Sequence, residues 1–413
     1  MRRFLLICLL ACLQLACLPL VCLVVTAQQA PIPTSTALSG SPFFVKKSWP
    51  IGGSGNWDYL TMDPSARRLY IAHGHAVQVV DVDSGSVVGE IPGFRDAHAI
   101  ALDDTGQYAY VSDGPANAVT VFDRGAFRAK ATIAIGCSPR FIVFEPRSKL
   151  VFAFCPPTLP ATVQPQSSQR PILPENSGPS HIVAIDTDKN SVLADIALNG
   201  DFHIAQADGY GSIYATVAQP PSIAKLDAVG IDAEAQRRRE ASPKPAPGGP
   251  VLFDWSKDGS SRGLLQNTPL HSSCLDPQGL AVDGKNQRLF IACENQGVQV
   301  LNASTGDLVA SLTTGPGDDV IGYDPERELI YSANGGGYGS LTIIQQDANT
   351  DSYAAIQNLP TLARARTLAV DPSTGAVYLV TDLHGVDLTK AGGIGTLHFD
   401  PIPGSFQVLI VGH

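Results

Sequence analysis

Positive charge is scarce in this chain, and so is helical spacing. Lys and Arg number 28 against 38 Asp and Glu, a net charge of −10. Nucleic-acid binding rests on clustered cations set against phosphates, so nucleic acid is not an expected partner. The one basic run, Arg237 to Arg239, is flanked by Glu234 and Glu240 and reads as a solvated face. Only residues 232–239 carry a helical pattern, which excludes a mainly helical fold. There is no HExxH, no P-loop, and no serine in a nucleophile-elbow context. The Gly-rich stretch 334–339 joins strands with no helix behind it, so it is not a phosphate cradle. Methionine occurs only twice, while Gly (39) and Pro (31) abound, the composition of many short strands joined by tight turns. Apolar residues make up 44% and charged ones 16%, enough apolar material for a large core.

Arg2 and Arg3 precede an apolar stretch from Phe4 to Val25, and Val25 to Ala27 offer small residues for cleavage. Residues 1–27 therefore read as a signal peptide and 28–42, rich in Pro, Ser and Thr, as a disordered leader. An uncleaved membrane anchor is the alternative. The reading is of an exported protein, periplasmic or extracellular, with no membrane span once the segment is removed. Cleavage takes four of the eight cysteines with it and leaves Cys137, Cys155, Cys274 and Cys293, an even number in an oxidising compartment.

What is present is a repeat. The segment 59–72, "YLTMDPSARRLYIA", returns at 99–112, 141–154, 204–217, 279–292, 320–333 and 367–380. Each copy is an apolar strand, a turn opened by an acid (Asp63, Asp103, Glu145, Asp208, Asp283, Asp324, Asp371) and a second strand. Third strands follow, as at 76–81 and 118–123, and fourth strands such as 86–91 and 307–312. Four antiparallel strands in a unit of about 40 residues mark a propeller blade, so the fold class is all-β, a seven-bladed β-propeller over 43–413. Residues 43–52 resemble a fourth strand standing before any first strand and are expected to complete the last blade, leaving no open edge. Two insertions, 156–179 and 228–270, interrupt the spacing. They read as surface loops, where propellers often bind partners.

The segments "WDYLTMD", "RLYIAH", "VQVVDVDSG", "GLAVDGKNQRLFIAC", "YDPERELIYSANGGGYGSLTII" and "ARTLAVDPSTGAVYL" carry a family resemblance. The chain resembles the YVTN-type β-propeller repeat proteins, in particular their YncE-like branch of exported bacterial proteins. The resemblance implies a ligand- or partner-binding propeller. A DNA-binding role proposed for one branch conflicts with the acidic balance here.

Cys137 precedes the first strand of blade three and Cys155 ends its second; Cys274 and Cys293 hold nearly the same places in blade five. The start of one strand faces the end of the next in an antiparallel hairpin, so two intrablade disulfides are expected. No metal site is expected, since tetrahedral sites use closer spacing. His73 and His75, without a third partner, read as solvated loop histidines.

Five residues before each turn acid stands a polar residue: Asp58, His98, Arg140, His203, Gln278, Asp319 and Arg366. The first strand of every blade lines the central channel, so these seven form a ring of candidate ligand-binding residues. Relatives in the resembled family usually carry an acid, an acid and a small hydroxyl residue where Arg140, His203 and Gln278 stand. In the ring, Arg366 falls between Asp319 and Asp58, an expected Asp–Arg–Asp cluster. The other side sets Arg140 between two histidines with no ring carboxylate. The expected function is a binding module, a monomer, for a small anionic ligand or a partner segment at the channel mouth. A propeller enzyme of quinoprotein-dehydrogenase or lactonase type and an envelope scaffold docking through its insertions are the alternatives. The sequence names no cofactor.

Overall fold

The computed structural model describes residues 42–53, 56–158, 177–241, 249–256, 261, 264–387 and 398–413. The expected signal segment 1–27, the leader up to residue 41 and most of the first insertion lie outside the described residues. Among the described residues no helix is long and apolar enough to cross a membrane.

The acidic turns organise the hairpins. A carboxylate at the end of each first strand takes backbone N–H groups from the turn that follows, which substitutes for the missing ladder bonds. Asp63 accepts from Ala66 at 3.1 Å, Glu145 from Ser148 at 2.7 Å, Asp208 from Tyr210 at 2.7 Å and Asp371 from Ser373 at 3.0 Å. Each hairpin then adds a third and a fourth antiparallel strand. Blade one, for example, runs Trp57–Asp63, Arg68–His73, Ala76–Asp81 and Val87–Pro92.

Seven blades built on this four-strand plan stand in a ring, and their first strands touch in chain order. Thr367–Asp371 of blade seven meets Trp57–Asp63 of blade one, which closes the circle. Blade seven is completed by the N-terminal strand: Phe44–Pro50 pairs antiparallel with Gln407–Gly412, joining the two ends of the ring in one sheet. Val, Ile, Leu and Ala fill most of the space between blades, and one aromatic recurs among them on the second strand of every blade. Tyr70, Tyr110, Phe152, Tyr214, Phe290, Tyr331 and Tyr378 are all buried. Wedge-shaped gaps between twisted sheets need bulky planar groups, and deleting one costs about 3–5 kcal/mol in typical cores.

Three details depart from the sequence reading. The stretch 228–270, set aside as a single insertion, supplies two strands: Leu265–Pro269 is the fourth strand of blade four, and Val251–Asp254 adds a parallel fifth strand to blade three. Ahead of both, a helix spans Ala228–Ala241, longer than the 232–239 pattern. Its basic run is only partly a solvated face. Arg237 and Arg238 hold Glu234, whereas Arg239 donates to the carbonyls of Val192 and Leu193 at 3.1 Å and fastens the helix to blade three. His73 is not a solvated loop residue either. It ends the second strand of blade one, is 5% exposed, lies 2.9 Å from Gln78 and packs on the Phe406 ring.

Candidate functional site

Five of the seven ring positions sit where the strand ladders slip. Register shifts lie between Trp57 and Leu60, Ala97 and Ile100, Phe202 and Ala205, Pro277 and Gly279, and Asp318 and Ile321. Asp58, His98, His203, Gln278 and Asp319 all fall inside these bulges. A bulged residue is released from pairing and its side chain re-aimed, here toward the axis. Arg140 and Arg366 stand one residue ahead of the strands Phe141–Glu145 and Thr367–Asp371. All seven line one cavity of about 880 Å³ at the channel mouth.

Around this ring, polar partners differ from those the sequence order implies. His98 Nε2 lies 2.9 Å from Asp58 Oδ2, across the joint of blades one and two. Arg366 reaches Asp319 at 3.6 Å and sits over the Trp57 ring at 5.5 Å. The expected Asp–Arg–Asp cluster is thus resolved into two pairs, Asp58 with His98 and Asp319 with Arg366. On the opposite side, Arg140 lies 3.9 Å from Asp201, and buried His203 stands between Asp201 at 3.6 Å and Asp276 at 3.9 Å. The ring alone has no carboxylate there, but its surroundings supply two.

Those two belong to a second tier that the ring count misses. Asn56, Asp96, Asp276, Gly317 and Arg364 also border the cavity, each two residues before a ring position. All five stand just ahead of the first strands, with Asp276, Gly317 and Arg364 in left-handed backbone, so strand alternation does not reach them; their constant offset from the turn acid was the one signal that could have found them. Glu294, next to Cys293, adds one more carboxylate to the wall. Tyr59 forms part of the lining, its ring 5.4 Å from His98 and edge-on to Phe141 at 5.0 Å. Burial pushes the Tyr59 phenol up, and Asp319 and Asp58 push it further than Arg366 and Arg140 pull it back. Asp96 is raised too, by burial and by the neighbouring carboxylates Asp58 and Asp113 against His98.

Both disulfides brace this mouth. Cys137 is bonded to Cys155 and Cys274 to Cys293. The first flanks Arg140, whose N–H donates to the Phe154 carbonyl at 2.8 Å; the second flanks Asp276, Gln278 and Glu294. Opposite them, the Gly-rich stretch packs against the segment that carries Arg364 and Arg366. A Cβ on Gly339, at φ +83°, would stand 1.9 Å from the Leu362 carbonyl oxygen, and one on Gly335 would stand 2.7 Å from the Arg366 Cβ. Glycine lets these two loops touch. Among the described residues no group of three His, Cys, Asp or Glu side chains is placed to hold a metal ion.

No family model and no curated protein matches this sequence. Solved structures do match in shape. The RRP9 WD40 repeats superpose with a TM-score of 0.60 at 9% identity, over 87% of this chain and 96% of that one. The structure of U3-55K gives 0.59 at 9% identity with the same coverage. A chain of the mitotic checkpoint complex gives 0.58 at 13% identity, over 85% of this chain and 93% of that one. Likeness at such identity establishes a WD40-like seven-bladed propeller and leaves the chemistry to the site.

Proposed function

We propose that the chain is an exported binding module that holds a small ligand by an anionic group at the channel mouth. The observation that carries this reading is the state of three guanidiniums on the cavity wall. Arg140, Arg364 and Arg366 have side chains 38%, 50% and 48% exposed, and their nearest carboxylate contacts are long, at 3.9, 3.4 and 3.6 Å. A guanidinium held that loosely keeps its donor fork open to a carboxylate or phosphate. A concave, preformed cavity shared by all seven blades suits a small molecule. Two disulfides between four cysteines support export, and the repeat motifs support a place among the YVTN-type, YncE-like proteins.

Titration calorimetry with succinate and inorganic phosphate at low salt tests the reading. Binding is expected for wild type, weakened by about 1.5–3 kcal/mol in Arg140→Ala or Arg366→Ala, the worth of a charge-assisted hydrogen bond. Equal binding by wild type and both variants would sink it.

A further inference from the structure

Acidic side chains outnumber guanidiniums on the cavity wall. Asp58, Asp96, Asp276, Glu294, Asp318 and Asp319 face only three arginines. The side chains of Asp58, Asp319 and Asp276 are 24%, 25% and 26% exposed, while those of Arg364 and Arg366 are about twice as open. Arg364 and Arg366 therefore stand at the rim while Asp58, Asp276 and Asp319 sit further in; Asp96 and Glu294 are exposed as the arginines are. Two acceptors on the wall of blades five and six stand ready: Asp276 Oδ1 and Asp318 Oδ1 are buried with no hydrogen-bond partner among the described residues, and Asp318 as a whole is 2% exposed. A purely anionic ligand would satisfy the rim arginines and leave these acceptors empty against excess negative charge. A purely cationic ligand would do the reverse.

We propose that the cavity takes a small zwitterion, with its carboxylate on the rim arginines and its ammonium against the carboxylates of blades five and six. The ammonium donates three hydrogen bonds and carries the charge the wall lacks. A cavity of about 880 Å³ accommodates a molecule of dipeptide size. The Tyr59 phenol agrees: beyond the effect of burial, Asp319 and Asp58 push it up further than Arg366 and Arg140 pull it down. The proposal rests on the anion-binding reading above and adds a cation subsite to it.

Three dipeptide libraries distinguish the two: one unblocked, one N-acetylated, one C-amidated, each mixed with the full folded domain and read by native mass spectrometry. Unblocked members are expected to bind at tenfold lower concentration than either blocked set. If N-acetylated members bind as well as unblocked ones, the cation subsite is wrong while anion binding stands. If amidated members bind as well, or no library binds, the anion reading falls and the zwitterion with it. Asp276→Asn supplies the second arm, because Asn tolerates the φ of +48° at that position and keeps the fold. That variant is expected to lose tenfold or more toward unblocked dipeptides and nothing toward acetylated ones. Glu294→Gln is expected to act in the same direction, and unchanged discrimination in both would overturn the proposal.

Discussion

Arg124 clamps blade two to blade one through Asp63. Its guanidinium contacts the Asp63 carboxylate, donates to the Asp103 carbonyl at 3.2 Å and lies 3.6 Å from the Asp103 carboxylate. All three side chains are buried. Removing the cation strands two carboxylates away from water, so Arg124→Met should cost about 3–5 kcal/mol in denaturant unfolding. Burial raises the Asp63 carboxyl, but Ser65, Arg124 and the Ala66 N–H together hold it below the ordinary carboxylate range. A carboxyl depressed in the folded state stabilises above its unfolded pKa, and that stability fades as pH falls through the folded value. The wild type should lose stability on acidification more steeply than Arg124→Met. Parallel slopes below pH 4 would contradict the clamp.

Asp318 has the opposite sign. Burial pushes its carboxyl up to about 7, against the hydrogen bond that Thr314 donates to Oδ2. A raised carboxyl favours the folded state when protonated, and that advantage is lost as pH rises from the unfolded value through about 7. The rise from the ordinary carboxylate range to about 7 bounds the loss at about 4 kcal/mol. Asp318→Asn, which still accepts from Thr314, should therefore raise Tm at pH 8 and leave it nearly unchanged at pH 4. Equal shifts at both pH values would place the effect elsewhere.

Gly339→Ala probes the contact between the Gly-rich stretch and the Leu362 segment. The backbone there is left-handed, and the added methyl meets a carbonyl oxygen. A loss of at least about 2 kcal/mol is expected, with succinate binding reduced because Leu362 leads into Arg364 and Arg366. Full stability and full binding would show that the loops part at no cost.

The blades were legible in the sequence because each hairpin announces itself locally. An acid at Asp63 or Asp371 bonds its own turn, and the strands on either side alternate or run apolar without reference to anything distant. The ring followed from the same count, since five residues from the turn acid is a fixed distance along every first strand. Pairings within the cavity were not legible. That Asp58 meets His98 instead of Arg366 depends on how each bulge tilts its side chain and on the angle between neighbouring blades. The fourth strand of blade four, Leu265–Pro269, was hidden for another reason: a helix and a strand lent to blade three separate it from Ser222–Asp227. Linear spacing carries no information across such a detour.

The disulfide Cys274–Cys293 ties the base of the cavity wall in blade five, closing a loop with a sequence separation of 19. In the chain-entropy account, a crosslink of that span restricts the unfolded chain by about 3 kcal/mol. Both sulfurs are buried, so the double variant Cys274→Ala/Cys293→Ala leaves no polar group stranded and reports mainly the lost crosslink. Its unfolding free energy should drop by about that amount. The same variant frees the segment on which Asp276, Gln278 and Glu294 are mounted, whereas Cys137→Ala/Cys155→Ala frees the neighbourhood of Arg140. If the ammonium of a zwitterion rests on the blade-five wall, the first variant should weaken unblocked dipeptides more than acetylated ones, and the second should weaken both alike. Identical binding profiles for the two variants would mean that the disulfides hold the blades together without placing the ligand.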